Sequence, residues 1–273
     1  MRSHVGIVFA DMDGTFLAAS KDVPSRNLQA LDVLADHGVP FVPCTGRPVS
    51  AVPAELLRHP ATRFVVASNG SVVYDVAQRR NLRVVAMDKR LVLSLYERVR
   101  DVEATFDIFA DGSVYSERAR YEAMSAYGID GPTLEMLRRV RQPVDIAVPE
   151  IVERAGAVDK VTCFWRRPQD RDALAEAIAQ MDGFSCAHGH PKNFELQAKG
   201  VDKGSALVWL CDHAGYDVRQ AVAFGDEAND AAMIRAAGDG VAMANATPEV
   251  LRLADHVTLS NDEAGVAHYL LDA

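Results

Sequence analysis

The segment 5–15 (VGIVFADMDGT) decides the fold class, because a continuous apolar run ends there in two carboxylates and a glycine. A run that is apolar at every position predicts a strand buried on both faces, as in a parallel sheet. Asp11 and Asp13 follow one residue apart, and Gly14 allows a tight turn after them. Ligands of open α/β sheets bind at the carboxyl ends of the strands, so we expect chemistry at this point.

Strands and helices alternate on both sides of this segment. A helix is expected over 25–37, with Ser25 as its N-cap, and a second strand over 39–44. The order strand, helix, strand is a βαβ unit, which predicts parallel pairing. Elements of the same kind are expected at 64–67, 203–214, 221–224, 229–237, 240–243 and 264–271. The predicted fold class is α/β, with a Rossmann-like doubly wound parallel sheet.

The alternation breaks down between residues 87 and 191, where short strands and helices are mixed. Strands are expected at 105–110, 114–116, 144–148 and 161–165, and helices at 91–100, 133–140 and 171–181. This mixture predicts an inserted α+β domain. We therefore divide the chain into a core, 1–86 plus 192–273, and an insert, 87–191; a short strand expected at 194–197 is assigned to the core.

Composition excludes several classes of function. The chain has 273 residues, of which 49% are hydrophobic and 25% charged, as in a packed globular protein. Its net charge of -9 argues against a nucleic-acid-binding surface. No apolar run approaches the roughly 18 residues of a membrane span, and the N-terminus does not resemble a secretory signal. The four cysteines lack CxxC spacing, so we expect a cytoplasmic protein with reduced thiols; the oligomeric state carries no sequence signal.

The paired carboxylates are suited to phosphoryl transfer. A carboxylate at Asp11 can attack phosphorus and form an aspartyl-phosphate, and Asp13 is close enough to protonate the leaving oxygen and then activate water. Taken alone, the pair is equally compatible with a loop or a helix cap.

A second acidic loop, 225–230 (GDEAND), follows the strand expected at 221–224. Its carboxylates could bind a hard cation together with Asp11, and Mg²⁺ is the natural candidate, although Asp226 or Asn229 could instead cap the next helix. The hydroxyl of Thr45 and the ammonium of Lys203 are suited to phosphate oxygens, but each is unremarkable by itself.

Together these elements resemble the four motifs of the haloacid dehalogenase (HAD) superfamily of phosphohydrolases. The motifs are 11–15 (DMDGT), 45–47 (TGR), Lys203 and 225–230 (GDEAND). The closer resemblance is to the Cof-like subclass IIB sugar-phosphatase branch, and it covers nearly the whole chain. It is supported by 68–70 (SNG), 200–204 (GVDKG) and 240–246 (GVAMANA).

The resemblance implies a role for each motif residue. Asp11 is the nucleophile and Asp13 the general acid and base. The implied phosphate contacts are Thr45, Gly46, Lys203 and Asn229. Mg²⁺ is held by Asp11, the backbone carbonyl of Asp13 and Asp226, while Asp230 orients the metal site. The insert becomes a cap that selects the leaving group, and the candidate substrate contacts are Arg47, Asn69, Lys160 and His188.

The predicted function is a Mg²⁺-dependent phosphatase of small phosphorylated metabolites, first of all sugar phosphates, acting through an aspartyl-phosphate. Pyridoxal phosphate or a flavin precursor are alternative substrates. A phosphomutase and a non-catalytic sensor of phosphorylated ligands are alternative functions.

Two features do not fit this scheme directly. Pro43 cannot donate to a sheet ladder, so either the strand ends at Val42 or a bulge precedes Thr45. Cys186, His188 and His190 alternate and would share one face of an extended segment, where they could imitate a metal site or line a substrate entrance.

Overall fold

The computed structural model describes residues 5–272, which contain fourteen strands. Residues 1–4 and Ala273 lie outside the described part, and with them the N-terminal residues on which the expectation of no secretory signal rests. The strands are β1 (Ile7–Asp11), β2 (Phe41–Cys44), β3 (Phe64–Ala67), β4 (Val72–Asp75), β5 (Arg80–Val84), β6 (Asp107–Ala110), β7 (Ser113–Glu117), β8 (Arg141–Val144), β9 (Val158–Phe164), β10 (Phe184–Ala187), β11 (Asn193–Ala198), β12 (Ala221–Gly225), β13 (Asp239–Ala242) and β14 (His256–Val257).

Eleven α-helices connect these strands within residues 5–272. They are α1 (Ser25–Asp36), α2 (Ala54–Arg58), α3 (Lys89–Val99), α4 (Arg118–Glu122), α5 (Gly131–Val140), α6 (Val148–Arg154), α7 (Pro168–Ala179), α8 (Lys203–Ala214), α9 (Ala231–Ala236), α10 (Pro248–Leu253) and α11 (Gly265–Leu271). None of them combines the length and the apolar character that a transmembrane span needs.

The chain divides into two compact units, one formed by residues 5–83 with 202–272 and the other by Val84–Val201. The first unit contains an eight-stranded sheet in the order β14-β13-β12-β1-β2-β3-β4-β5. Pairing is parallel from β14 to β3, and β4 runs antiparallel to β3. The predicted α/β fold with a doubly wound parallel sheet is confirmed.

The apolar sequence of β1 follows from helices on both faces of this sheet. Val8 and Ala10 belong to the apolar core that includes α1 and α11. Ile7 and Phe9 belong to the opposite core, with residues of α8. All five residues of β1 are buried, so a strand with alternating polar residues could not occupy this position.

The expectation that β2 ends at Val42 was wrong, whereas an irregularity before Thr45 is present, on the β3 side of β2 and not against β1. β2 continues through Pro43 in register with β1. The amides of Phe41 and Thr45 donate to the carbonyls of Ala61 and Val66, both at 2.8 Å. The segment from Phe41 to Thr45 therefore lies opposite the segment from Ala61 to Val66, which is one residue longer. The nitrogen of Pro43 points to this irregular side, where no donor is required.

The second unit contains a six-stranded sheet in the order β10-β11-β9-β6-β7-β8. Its pairs are antiparallel except for β7 and β8, which are parallel. Its apolar core includes residues of α3, α6 and α7. The second unit therefore has an α+β arrangement, whereas the first unit has a mostly parallel sheet between helices.

Four local expectations differ from the structure. The strand expected at 194–197 belongs to β11, which pairs with β9 and β10 in the second unit and not with the core sheet. The unit boundaries accordingly fall at 83/84 and 201/202 instead of 86/87 and 191/192. Val148 begins a helix because Pro149 lies in its first turn, where the missing amide costs nothing. Pro24 precedes α1 at the N-cap position expected for Ser25.

Candidate active site

A buried ion cluster lies where β1, β12 and α8 come together in the first unit. The Nζ of Lys203 is 2.5 Å from Asp11 Oδ1 and 2.6 Å from Asp230 Oδ1. Lys203 is the first residue of α8 and is fully buried, and Asp202 caps that helix by accepting from the amide of Ser205. The nucleophile candidate is therefore fixed by a lysine 192 residues away in sequence.

Asp226 completes this cluster from the loop after β12. Its Oδ1 accepts a hydrogen bond of 2.6 Å from the Thr15 hydroxyl. A Cβ at Gly14, which has a φ of +84°, would lie 2.3 Å from Asp226 Oδ2, so only glycine allows this approach. Ligand oxygens of Asp11, Asp226 and Asp230 all lie within 4.8 Å of one another.

The charge of this cluster fits a divalent cation. Burial raises the pKa of Asp11 to about 7, against the opposing effect of Lys203, and it raises the pKa of Asp226 to about 8. Burial alone would lower the pKa of Lys203, but Asp11 and Asp230 outweigh it and keep the lysine protonated. Three carboxylates thus face one ammonium, and oxygen ligands with surplus negative charge are what Mg²⁺ prefers.

Asp230 has no oxygen left without a protein partner. Its Oδ1 binds Lys203, and its Oδ2 accepts from the amides of Asp226 and Glu227 at 3.0 and 3.1 Å. Asp230 therefore shapes the acidic loop and orients Lys203, while its role behind the metal ligands stays a prediction.

Asp13 is held by two cations. Arg47 contacts its Oδ1 through Nη2, and the Nζ of Lys21 lies 2.8 Å from the same oxygen. Burial alone would raise the pKa of Asp13, but Arg47 and Lys21 together outweigh it and hold that pKa below its usual range. Arg47 thus binds the acid and base candidate, and its contact with substrate stays a prediction.

The loops after β2, β3 and β12 are joined by hydrogen bonds. Thr45 Oγ1 accepts from the amide of Arg47 at 3.1 Å, and the amide of Asn69 donates to the Thr45 carbonyl at 3.1 Å. The Asn229 amide group donates to Asn69 Oδ1 at 3.4 Å. Four of the phosphate-site and substrate-site candidates, Thr45, Gly46, Asn69 and Asn229, thus belong to connected loops.

Lys160 and His188 are the predicted contacts that lie in the second unit. Lys160 is buried, with its Nζ 3.2 Å from Glu195 Oε2 and 4.2 Å from the centre of the Phe109 ring. His188 Nδ1 lies 2.7 Å from the Asn193 carbonyl. Each has a partner within its own unit, so a role of either in substrate binding stays a prediction.

The segment 186–190 shows ordinary protein contacts. Cys186 is an exposed free thiol, and the other three cysteines of the chain are free and buried. His190 Nδ1 accepts from the amide of Lys192 at 3.1 Å. The clustered acidic ligands of residues 5–272 lie at Asp11 and the 225–230 loop instead.

Sequence reasoning missed three residues of this site. Thr15 was quoted only as part of a motif, yet its hydroxyl binds Asp226. Lys21 contacts Asp13, and the Asn245 amide group donates to the Gly14 carbonyl at 2.8 Å. The motif 240–246 was a usable signal for Asn245, whereas nothing in residue pattern distinguishes Lys21 from a surface lysine.

Comparison with known proteins shows where this arrangement occurs. A family model described as haloacid dehalogenase-like hydrolase matches residues 8–270. The putative phosphatase YxeH of Bacillus subtilis is 28% identical, with 96% of each chain covered. The 5-amino-6-(5-phospho-D-ribitylamino)uracil phosphatase YcsE of Bacillus subtilis is 26% identical, covering 96% of this chain and 93% of that protein.

A solved structure shares the fold over nearly its full length. The HAD subclass IIB sugar phosphatase BT4131 superposes with a TM-score of 0.81 at 20% identity, over 97% of this chain and 98% of that one. The resemblance stated from the sequence motifs is confirmed by the family match together with this shared fold. The chain belongs to the haloacid dehalogenase-like hydrolases.

Proposed function

We propose that the protein is a Mg²⁺-dependent phosphatase that hydrolyses small phosphorylated metabolites through an aspartyl-phosphate on Asp11. The observation that carries this proposal is the cluster of Asp11, Lys203, Asp226 and Asp230. In this cluster Lys203 holds the carboxylate of Asp11, and the other two carboxylates add negative charge. Asp13, which Arg47 and Lys21 hold, follows Asp11 by two residues. Relatives named phosphatases support the same reaction class.

The reaction follows from the roles of two carboxylates. Asp11 attacks phosphorus, an oxygen–phosphorus bond forms to its carboxylate, and the bond from phosphorus to the leaving oxygen breaks as Asp13 donates a proton to that oxygen. Water then attacks the aspartyl-phosphate, Asp13 takes a proton from the water, and the bond to Asp11 breaks. The net change is a phosphate monoester plus water giving an alcohol plus phosphate.

The pKa of Asp13 suits both steps. Arg47 and Lys21 lower its pKa despite burial. The lowered pKa keeps Asp13 deprotonated, which is the form that accepts a proton from water. A dianionic phosphate group beside Asp13 disfavours a second negative charge, so substrate raises the pKa and supplies the protonated form for the first step.

The residues that would hold Mg²⁺ are Asp11, Asp226 and the backbone carbonyl of Asp13. When bound, Mg²⁺ screens the repulsion between Asp11 and the phosphate group. Lys203 keeps the attacking carboxylate in place, and Thr45, Gly46 and Asn229 supply donors to the phosphate oxygens. Thr15 orients Asp226 through its hydroxyl.

Substrate selection is assigned to the second unit, 84–201, as a cap. Sugar phosphates are the first substrate class to test. A phosphorylated ribitylaminopyrimidine is the second, because the relative YcsE is named for one. Lys160 and His188 are the cap residues proposed to contact the leaving group.

The test is phosphate release from a panel of sugar phosphates, nucleotides and phosphorylated cofactors, with Mg²⁺ and with EDTA. Asp11→Asn removes the nucleophile and keeps its shape, so turnover should fall at least about 1000-fold. Asp36→Asn, at an exposed site at the end of α1, is the matched control and should retain wild-type turnover.

Other outcomes favour the alternatives. Release by Asp11→Asn near the wild-type rate would contradict the mechanism. An isomerised product with a persistent phosphoenzyme would indicate a phosphomutase, and binding of phosphorylated ligands without turnover would indicate a sensor.

A further inference from the structure

The turn that follows Asp13 brings a second cation to its carboxylate. Residues 13–22, here called the flap, form a loop in which the amide of Lys21 donates to the Ala18 carbonyl at 2.9 Å and the amide of Ala18 donates to the Asp22 carbonyl at 3.0 Å. Lys21 has a φ of +72°, a left-handed conformation that non-glycine residues rarely adopt. The backbone conformation of Lys21 is thus unfavourable by itself and must be stabilised by contacts with the rest of the protein.

The two cations bind the same oxygen of Asp13. Arg47 Nη2 and Lys21 Nζ both contact Oδ1, the latter at 2.8 Å. Oδ2 accepts no hydrogen bond from any group among residues 5–272. The carboxylate is therefore anchored at one oxygen, and the other is left for proton exchange.

The flap is itself attached to a different part of the first unit. Asn261 donates from its amide group to the Leu17 carbonyl at 2.9 Å, and Asp262 Oδ1 accepts from the amide of Ala19 at 2.8 Å. The backbone amide of Asn261 donates in turn to Asn245 Oδ1 at 3.0 Å. These contacts limit the positions that Lys21 can reach, because the chain just before it is bound at Leu17 and Ala19.

We propose that Lys21 is a positioning residue for Asp13, which together with Arg47 anchors Oδ1 so that Oδ2 is presented for proton transfer. The inference rests on the proposed function, in which Asp13 protonates the leaving oxygen. Lys21 does not touch the reacting atoms; its effect is on the orientation of the acid.

The role of Lys21 can be separated from simple attraction of phosphate by changing the leaving group. A sugar phosphate that the wild-type protein hydrolyses needs a proton on its alkoxide leaving group, whereas p-nitrophenyl phosphate releases a stable phenolate without one. For Lys21→Met we expect kcat/KM to fall about tenfold for the sugar phosphate and less than about twofold for p-nitrophenyl phosphate. Lys21→Arg, which keeps a cation, should recover most of the loss.

A control at another lysine tests for general effects of lost charge. Lys199 is exposed and pairs with Asp182 at 2.5 Å, so Lys199→Met should leave both kcat/KM values unchanged. Circular dichroism should show the same fold for all variants, since the side chain of Lys21 is partly exposed.

Three results would overturn the proposal. An equal loss for both substrates in Lys21→Met would show that Lys21 acts through phosphate binding, and no loss for either would show that it does not act on Asp13. Failure of the wild-type protein to release phosphate from either substrate would refute the proposed function and this inference with it. If the wild-type protein is active but Lys21→Met lowers kcat/KM equally for both substrates, only the inference about Lys21 is refuted.

Discussion

Each unit of the protein has a buried ionic cluster, and the two differ in how their charges balance. In the second unit, Arg141 Nε donates to Asp107 Oδ2 at 2.8 Å, and the hydroxyls of Ser116 and Thr105 donate to the same carboxylate at 2.5 and 3.3 Å. One cation faces one anion there. In the first unit, three carboxylates share the single ammonium of Lys203.

The difference separates a balanced network from one that still lacks a cation. The Asp107 cluster is neutral, and both oxygens of its carboxylate have donors, so Asp107 needs no further partner. The Lys203 cluster is built from strand ends and loops and carries surplus negative charge, which burial makes costly. Unbalanced buried negative charge is the feature that indicates a cation site, whereas burial of charge alone does not.

The largest expected effect comes from removing the shared cation. Lys203→Met should reduce kcat about 1000-fold, because it removes both the support of Asp11 and a cation beside the phosphate site. Phosphate release under saturating substrate measures this, with near-ultraviolet circular dichroism to show that the core remains packed. Activity within tenfold of wild type would mean that the cluster is no more functional than that of Asp107.

The balanced cluster should respond in stability instead. Arg141→Met leaves Asp107 buried without its cation and should lower the free energy of unfolding by about 3 kcal/mol in urea titrations. Arg118→Met breaks the exposed pair with Asp145 and should cost less than about 1 kcal/mol.

A double variant checks the cause of that loss. Asp107→Asn combined with Arg141→Met removes both charges and should regain at least part of the stability. Equal costs for Arg141→Met and Arg118→Met would refute the contrast between buried and exposed pairs.

A smaller effect is expected at a carboxylate of the second unit that has no cation. Burial raises the pKa of Asp159 to about 7, and Asp111 adds to the shift. Because the folded protein then binds this proton more tightly than the unfolded chain does, stability is lost as pH rises from about 4 to about 7. Asp159→Asn cannot ionise, so it should exceed the wild type in stability by about 1 to 2 kcal/mol at pH 8 and by little at pH 4. Unfolding titrations at both pH values measure this; a difference that does not change with pH would contradict it.

Where its signals are local, the sequence was sufficient to predict which residues come together. Asp11, Asp13 and Asp226 each follow a strand whose apolar run is continuous, so the strand end and the acid were read together. Lys203 was predicted from its position at a helix start, and it begins α8. These residues meet because parallel strands bring their carboxyl ends to one sheet edge.

What the sequence could not predict depends on contacts between distant segments. The apolar pattern of β11 is the same whether it pairs with a core strand or with β9, so its unit was misassigned. The bond from Arg47 to Asp13 was not predicted because it depends on the fold of two loops. Lys21 reaches Asp13 only through a left-handed turn that its residue type does not favour.

The separation of Asp11 and Lys203 by 192 positions in sequence also has a consequence for biosynthesis. At about 5 to 20 residues per second, a ribosome needs roughly 10 to 40 seconds to add Lys203 after Asp11. Val84–Val201 is continuous in sequence and is complete before β12 exists to pair with β1. During that interval β1 lacks its partner strand β12, so one edge of the apolar sheet in the nascent chain is unpaired. The inserted unit, in contrast, is already complete in sequence.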